Sequence, residues 1–228
     1  MKSGAMNLGG LELGGLTWTE VDRPIVVVPV GSCEQHGPHL PIATDTIIAT
    51  RLASELVNRR VDALLAPALA ITASGEHKGF PGTLSIGTEV MTTVLVELAR
   101  SADWARGVVF VDSHGGNLAA TQRAAKVFEH EDRKVLIWSP SIPGGDPHAG
   151  HTETSLLLAL APDQVRLDRA VPGPTPGLAE LIEHGVQPLS ETGVMGDPTD
   201  ANAADGKRIF ERLCDQLAAA VDAWAANT

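Results

Sequence analysis

With 228 residues, the chain is long enough for one α/β domain with a substantial hydrophobic core. Its 28 Asp and Glu residues outnumber its 17 Lys and Arg residues, and the net charge of −11 disfavours nucleic acid and anionic membrane surfaces as partners. Hydrophobic residues make up 43% of the sequence, which excludes general disorder. The sequence has eight His residues and no Tyr, so proton transfer in an active site has to come from His, a carboxylate or water.

The two cysteines, Cys33 and Cys214, are too few for a disulfide framework and indicate a reducing, cytoplasmic setting. Residues 1–20 lack the continuous apolar stretch of a secretory signal, and we expect them to be flexible or peripheral. The apolar runs fall well short of the ~20 residues that a membrane-spanning helix needs. We therefore predict a single domain over residues 1–228 with no membrane partner.

Apolar runs alternate with helix-like stretches, a pattern that predicts a largely parallel sheet with helices on both faces. The predicted strands are residues 25–30, 64–67, 108–112 and 134–138. The predicted helices are residues 46–60, 88–102, 117–130, 152–161 and 203–226. Gly-rich or Pro-rich chain is predicted to be irregular over residues 74–87, 139–150, 172–176 and 193–198.

Polar residues with catalytic or metal-binding capacity follow every predicted strand. They are Glu34, His36, His39 and Asp45 after the first strand, Glu76 and His77 after the second, Asp112, Ser113 and His114 at the third, and His148, His151 and Glu153 after the fourth. Open parallel sheets form their binding crevice outside the carboxyl ends of the strands. We therefore predict that these polar loops share one rim of the sheet.

The strongest local signal is GSCEQHGPH, which begins at Gly31. In extended chain, residues two apart point the same way, so Glu34 and His36 can face one ion. Asp45 lies beyond a Pro-containing loop that can turn the chain back, and its carboxylate can bridge two ions. Oxygen and nitrogen ligands without thiolate suit zinc, ferrous iron or manganese. The alternative is that Glu34 and His36 are hydrogen-bonded loop residues and that Asp45 caps the following helix.

A second signal is DSHGGN, which ends the third strand and opens a helix, where backbone amides and the helix dipole face an approaching anion. His114 in this segment can supply another metal ligand. The amides of Gly115 and Gly116 can bind substrate by helping to hold a developing oxyanion. The two glycines can equally serve a tight turn from strand to helix.

A third cluster, HAGHTETS, begins at His148 and follows the fourth strand. His148 is the better proton carrier because the ordinary pKa of His lies near neutrality, and Glu153 can act as a ligand, a proton-transfer group or a helix cap. His77 is either a substrate contact in the wall of the site or a structural hydrogen-bonding residue. His130 and His184 lie in polar, helix-like stretches and are expected at the surface.

The chain resembles the creatininase (creatinine amidohydrolase) family in four ordered motifs, which are VVVPVGSCEQHGPHLPIATDT, GEHKGFPGTLSIGTE, VDSHGGN and HAGHTETS. The resemblance covers residues 26–160. Within the family, the stretches SCEQHGPHLP and GEHKGFPGTLSIG are most similar to the members of the mycofactocin system. The resemblance implies an α/β fold in the form of a three-layer αβα sandwich with a mostly parallel central sheet. It also implies a metal-dependent amidohydrolase that works as a homo-oligomer.

The resemblance further implies which residues hold one or two divalent metal ions. Glu34, Asp45 and His114 match the ligands of one ion. His36 together with bridging Asp45 matches part of a second site, and His148 matches the histidine that assists proton transfer.

The sequence departs from creatininase two residues after His114, where Gly116 stands in place of an acidic ligand. Glu153 is the candidate replacement, although a site with a single ion stays open as an alternative. His151 stands where many relatives carry Glu, so its role in a second site is an open question. The missing acidic ligand also argues against creatinine as the substrate.

Together these residues predict hydrolysis of an amide bond by attack of a metal-bound water, with His148 protonating the departing amine. The mycofactocin resemblance implies that the substrate is a modified, ribosomally made precursor peptide, which loses a short C-terminal fragment. Lys78 is the candidate to bind the peptide carboxylate. Three alternatives remain: a hydrolase of small cyclic amides or formamides, a catalytically silent metal-binding subunit, and a thiol hydrolase that uses Cys33.

Overall fold

The structure, a computed structural model, describes residues 10–226. Its strands are β1 (Ile25–Val30), β2 (Ala63–Leu65), β3 (Gly107–Asp112) and β4 (Val135–Trp138). Its helices are α1 (Thr44–Asn58), α2 (Gly87–Ser101), α3 (Leu118–His130), α4 (His151–Leu160), α5 (Leu178–His184) and α6 (Ala203–Ala226). Every predicted strand and helix is present within a few residues of its predicted position.

The four strands form one parallel sheet in the order β2-β1-β3-β4. All residues of β1 are buried, because Ile25 and Val27 face a layer formed by α1, α4 and α6, whereas Val26, Val28 and Val30 face α2 and α3. Burial on both faces explains why the strand is a continuous apolar run rather than an alternating one. The predicted three-layer αβα sandwich is therefore confirmed.

The order in which successive strands are added to the sheet reverses between β1 and β3. From β1 it passes through α1 to β2 on one side, and β3 then pairs with the other side of β1, with Val30 opposite Asp112. The loops that leave the two strands consequently diverge and leave a crevice at their carboxyl ends, where α/β proteins bind ligands. The polar loops after β1 and β3 lie at this crevice.

Helix α1 begins at Thr44, two residues earlier than predicted. Asp45 therefore lies in the first turn of the helix rather than in the preceding loop. Strand β2 ends at Leu65 and is shorter than predicted, because Pro67 has no N–H to continue the ladder. The short helix α5 was not among the predicted elements.

The N-terminal segment is peripheral from Gly10 onward. The amide of Leu65 donates a hydrogen bond to the carbonyl oxygen of Leu11 at 3.0 Å, so this segment lies beside β2 at the edge of the sheet. The rest of the stretch predicted to be flexible, residues 1–9, lies outside the described residues. Within residues 10–226, no helix combines the length and the apolar character needed to cross a membrane.

Candidate metal centre

The end of β1 and the start of α1 approach each other so closely that only glycine fits at residue 31. A Cβ atom on Gly31 would overlap the backbone of Thr46. The hydroxyl of Thr46 donates a hydrogen bond to the carbonyl oxygen of Ser32 at 2.9 Å, and the Ser32 hydroxyl donates one to Oδ2 of Asp45 at 2.7 Å. This contact brings the Asp45 carboxylate beside the residues that follow β1.

The Asp45 carboxylate lies between two imidazoles. Its Oδ1 is 3.4 Å from Nε2 of His36, and its Oδ2 is 3.1 Å from Nδ1 of His114. On the far side of His114, Nε2 is 3.1 Å from Oε2 of Glu34. All four residues are buried, and the structure brings Glu34, His36, Asp45 and His114 together.

Three atoms of this group are buried without a hydrogen-bond partner within residues 10–226. They are both carboxylate oxygens of Glu34 and Nε2 of His36. The 3.1 Å approach of His114 to Glu34 brings opposite charges together but does not have hydrogen-bond geometry. Because an unpaired buried charge is costly, these atoms fit the ligands of a cation. Carboxylate and imidazole donors without thiolate are those that zinc and manganese accept.

The electrostatics of the group also favour a cation. Burial opposes protonation of His36, but the charge and close approach of Asp45, together with the charges of Glu153 and Glu34, raise its pKa to about 9. Burial opposes ionisation of Asp45 as well, yet His36 and His114 hold its pKa well below the usual range. The field that favours a proton on these imidazoles would favour a divalent ion in its place.

Two further histidines face the other side of Glu34. Nε2 of His77 is 3.3 Å from Oε1 of Glu34, and Nδ1 of His148 is 3.9 Å from the same oxygen. Burial, with the charge of His36, lowers the pKa of His148 well below its ordinary value. Burial also lowers the pKa of His77 to about 4, although Glu34 opposes this shift. Burial therefore favours the neutral form of both rings.

Gln35 determines which nitrogen of each neutral ring carries the proton. Its side-chain oxygen accepts a hydrogen bond from the amide of Gly37, so its nitrogen faces Nδ1 of His77 at 2.9 Å and the carbonyl oxygen of Gly193 at 3.1 Å. Its backbone carbonyl oxygen lies 2.8 Å from Nε2 of His148. His148 consequently donates from Nε2 and presents an unprotonated Nδ1 to the site, whereas His77 carries its proton on Nε2, towards Glu34.

Glu153 lies at the margin of the group, on the side of His36. Its Oε2 is 3.9 Å from Nε2 of His36 and accepts a hydrogen bond from the amide of Ala149 at 2.6 Å. Burial raises the pKa of Glu153 to about 7, against the opposing charge of His36. The predicted roles of Glu153 as ligand and as proton carrier are both compatible with this position.

The sequence placed Glu76 among the polar residues of the rim but gave it no specific role, and it gave no role to Gln35. Glu76 lies on a 3-10 turn over Gly75–His77, and its Oε1 is 3.4 Å from Nε2 of His114. The sequence signal for Glu76 was its place beside His77 in a loop that follows a strand. Gln35 carried no comparable signal, because nothing local indicates which side chain of a loop will lie between two histidines.

Some predicted residues lie away from the ligand atoms. Lys78 follows the Gly75–His77 turn and is exposed, and Gly115 lies in the turn that opens α3, whereas Gly116 in the same turn lies beside His114, where a Cβ atom would be 2.4 Å from Nε2. His151 does not join the group, because its ring nitrogens face Asp200 at 2.8 Å and Asp205 at 3.1 Å. His130 and His184 are exposed, as expected.

His39 packs behind the group and donates or accepts one hydrogen bond. Its Nε2 is 2.8 Å from the hydroxyl of Thr154, while its Nδ1 is buried without a partner among the described residues. Burial and the nearby charge of His36 lower the pKa of His39 to about 4. His39 therefore supports the loop that carries His36 and does not reach the carboxylates.

Two adjoining cavities flank the group on the side of β4. One of about 210 Å³ is lined by Glu153, Thr152, Asp146 and Ser113 among others, and one of about 180 Å³ is lined by residues 112–115, Leu118, Ser139 and Pro140. The two cavities share Ser113 and Pro140 and are therefore adjacent, one beside Glu153 and the other beside the turn before α3.

Comparison with known proteins decides the family. A family model described as "Creatininase: Creatinine amidohydrolase" matches residues 15–221. The chain belongs to the creatininase family. This creatininase-family chain is 49% identical over 230 residues to the mycofactocin precursor peptide peptidase of Mycobacterium tuberculosis, with 93% of this chain and 91% of the relative covered.

Solved creatininases share the fold. A creatininase variant described as the Zn-Zn type has a TM-score of 0.78 and 26% identity, with 93% of this chain and 97% of that chain covered. A manganese creatininase has a TM-score of 0.77 and 26% identity, with 92% and 97% covered. The predicted resemblance is thus confirmed, and the creatininase-family chain is a metal-dependent amidohydrolase whose cofactor is a divalent metal ion.

Proposed function

We propose that this chain is a peptidase that releases a short C-terminal fragment from the modified mycofactocin precursor peptide. The observation that carries the proposal is its 49% identity, over 93% of the chain, to a relative named for that substrate. Two adjoining cavities, lined in part by Glu153 and His114, offer space beside this group for a substrate.

We assign the metal ligands to Glu34, His36, Asp45 and His114, with Glu153 as a further ligand on the side of His36. One or two divalent ions, of zinc, manganese or iron, would occupy this group. When bound, such an ion lowers the pKa of a coordinated water towards ~7 and polarises the scissile carbonyl group. The orphaned oxygens of Glu34 and the orphaned nitrogen of His36 support this assignment.

His148 carries the proton in this mechanism. Its Nε2–H is held by the backbone carbonyl oxygen of Gln35, so Nδ1 has a free lone pair directed to the site. That nitrogen can accept a proton released in the attack step and deliver it to the departing amine, as general base and then general acid. Glu153 is a second candidate for proton transfer, since its carboxyl group lies 3.9 Å from Nε2 of His36 at the margin of the site.

The remaining residues bind the substrate. The amides of Gly115 and Gly116 lie at the positive end of the turn that opens α3, where they can stabilise an oxyanion. Lys78 is exposed beside His77 and can pair with the carboxylate of the peptide. His77 accepts a hydrogen bond from Gln35 and lies 3.3 Å from Oε1 of Glu34, so it can form part of the wall of the site and contact the substrate rather than bind the metal ion.

The test is to incubate the purified chain with zinc or manganese and with the modified precursor peptide, and to follow product masses. We expect a new C-terminal fragment that disappears with a chelator and returns when metal is added back. Asp45→Asn should abolish the product, whereas the matched surface variant Asp163→Asn should not. Absence of any fragment at full metal occupancy would overturn the peptidase assignment.

The fold neighbours favour one alternative, a hydrolase of small cyclic amides or formamides, because they are creatininases. The same incubation separates the two. Chelator-sensitive turnover of creatinine, a lactam or a formamide, with the peptide left intact, would support the alternative.

We also propose that the chain works in the cytoplasm as a homo-oligomer. The free Cys33 and Cys214 support a reducing compartment, and the family resemblance supports the oligomer. Light scattering of the metal-loaded protein tests the second point, and a mass equal to that of one 23.8 kDa chain would contradict it.

A further inference from the structure

Residues 193–196 lie outside the four family motifs, yet they bond directly to His148, the proton carrier of the proposed mechanism. The amide of His148 donates a hydrogen bond to the carbonyl oxygen of Met195 at 3.2 Å, and the amide of Met195 donates one to the carbonyl oxygen of His148 at 2.8 Å. Both residues are buried. This reciprocal pair fixes the main chain that carries the His148 ring.

The side-chain nitrogen of Gln35 has more potential acceptors than hydrogen atoms. It carries two hydrogens and lies 2.9 Å from Nδ1 of His77, 3.1 Å from the carbonyl oxygen of Gly193 and 3.1 Å from Nε2 of His148. The carbonyl oxygen of Gly193 can only accept a hydrogen bond. Nε2 of His148 has an alternative, because the backbone carbonyl oxygen of Gln35 lies 2.8 Å away and can accept its proton.

The carbonyl oxygen of Gly193 thus bears on the tautomer of His148. When it takes one hydrogen of the Gln35 nitrogen and His77 takes the other, His148 keeps its proton on Nε2 and presents the lone pair of Nδ1 to Glu34. If the Gly193 carbonyl moved away, the same hydrogen would be free to bond to Nε2 of His148. The imidazole proton would then lie on Nδ1, the nitrogen that has to accept a proton during the attack step.

The arrangement leaves no room for a side chain at residue 193. Gly193 has a φ of 79°, in the left-handed region, and a Cβ atom on it would lie 1.8 Å from Oε1 of Gln35. The amide of Gly37 donates a hydrogen bond to that oxygen at 2.8 Å, so the Gln35 side chain cannot withdraw without losing this bond. Behind Gly193, Val194 is fully buried, and its carbonyl oxygen accepts a hydrogen bond from the Ser190 hydroxyl at 2.8 Å, which anchors the segment.

We propose that Gly193 is a positioning residue that sets the tautomer of His148, because its carbonyl oxygen draws the side-chain nitrogen of Gln35 away from the His148 ring. This role rests on the task of His148 in the proposed function. It also gives a task to a segment that the sequence indicated only as irregular chain. Gly193 acts through Gln35 and is not itself a catalytic residue.

The first test compares Gly193→Ala with Gly10→Ala in the zinc-loaded, full-length chain, with the modified precursor peptide as substrate. Gly10 has a φ of 78° and bonds to Val57 near the end of α1, whereas the site lies at the start of that helix, so it is a matched control. We expect kcat to fall at least about tenfold in Gly193→Ala while KM and zinc content stay nearly unchanged, because part of the molecules lose the required tautomer. Gly10→Ala should stay within about twofold of the unaltered chain.

A second test reads the tautomer itself and needs no substrate. Nitrogen–proton correlation NMR spectra of the zinc-loaded chain, isotopically labelled at histidine, report which imidazole nitrogen carries the proton, and His148→Ala assigns the signals. We expect the proton on Nε2 of His148 in the unaltered chain and a mixture of tautomers in Gly193→Ala. A proton on Nδ1 in the unaltered chain overturns the proposal even if Gly193→Ala does not fold.

An unchanged tautomer or an unchanged kcat in a folded Gly193→Ala protein also overturns the role of Gly193. The two proposals fail separately. The expected tautomers without any peptide cleavage would refute only the proposed function, whereas peptide cleavage with an unchanged tautomer in Gly193→Ala would refute only the positioning role.

Discussion

The side-chain nitrogen of Gln35 lies 2.9 Å from Nδ1 of His77 and donates the hydrogen bond between them. This donation places the proton of the His77 ring on Nε2, where it faces Glu34 at 3.3 Å. Partners of this kind orient metal-ligating carboxylates and tune their basicity. Gln35 is thereby linked to Glu34, a proposed metal ligand, through the ring of His77.

We expect Gln35→Leu to lower kcat by about 10–100-fold while KM and zinc content stay nearly unchanged. Leucine has a similar volume but offers no donor to His77, so the His77 ring loses the bond that sets its tautomer. The buried nitrogen left without a donor should also reduce the free energy of unfolding by about 1–3 kcal/mol. Steady-state kinetics, metal analysis and chemical denaturation check these points, and an unchanged kcat would show that the tautomer of His77 is unimportant.

His148→Ala should reduce kcat by about 10²–10⁴-fold, because the variant lacks the proton carrier of the leaving-group step. Zinc content should stay the same, because His148 is not one of the proposed ligands and its Nδ1 lies 3.9 Å from Glu34. His130→Ala removes an exposed histidine and serves as the control. A normal rate in the metal-loaded His148→Ala protein would remove His148 from the mechanism.

Gly116→Ala and Gly115→Ala should behave differently although they are adjacent and chemically identical changes. A Cβ atom on Gly116 would overlap Oε1 of Glu76 and Nε2 of His114, whereas one on Gly115 meets nothing within 4 Å. We expect zinc binding to weaken in Gly116→Ala and to remain unchanged in Gly115→Ala. Equal zinc affinities in the two variants, measured by calorimetry, would contradict the crowding around His114.

Cys33→Ala should leave turnover within about twofold of the unaltered chain, because the Cys33 thiol faces the carbonyl oxygen of Gly82 at 3.7 Å and not the ligand group. A chelator should abolish turnover in both proteins. The opposite pattern, with loss of activity in Cys33→Ala and survival under chelation, is the result that a thiol hydrolase would give.

We predict that His151 makes a pH-dependent contribution to the stability of the fold. Its hydrogen bond to Asp200, with the further contact to Asp205, raises its pKa above the ordinary value of 6.5 although burial opposes the shift. A raised pKa in the folded state contributes stability that is complete below pH 6.5 and is lost as the pH rises through the folded pKa.

We therefore expect His151→Gln to lower the melting temperature more at pH 6 than at pH 9. Both proteins are compared in the presence of a chelator, so that metal binding does not contribute. The effect should be small, as it is for other partly exposed ion pairs. A larger difference at pH 9 than at pH 6 would contradict the assigned pairing.

The elements of the fold were predictable because their signals are local. β1 is an unbroken apolar run, and the helices repeat apolar residues at helical spacing. The start of α1 was misplaced by two residues, because the chain before Thr44 has no side-chain cap to indicate it. The contact of Thr46 with Gly31, which sets the position of Asp45, joins segments that no local pattern connects.

The sequence by itself determined the residue types of the candidate site and their place after successive strands, because the alternation of strands and helices requires those loops to meet at one edge. Only the tertiary structure decided which of these side chains face one another. His151 lies within three residues of His148, yet it turns to Asp200 and Asp205, whereas Glu76 reaches His114 from a different loop. Such choices depend on the relative positions of elements far apart in the chain, which are set by the packing of the sandwich and not by the spacing of residues.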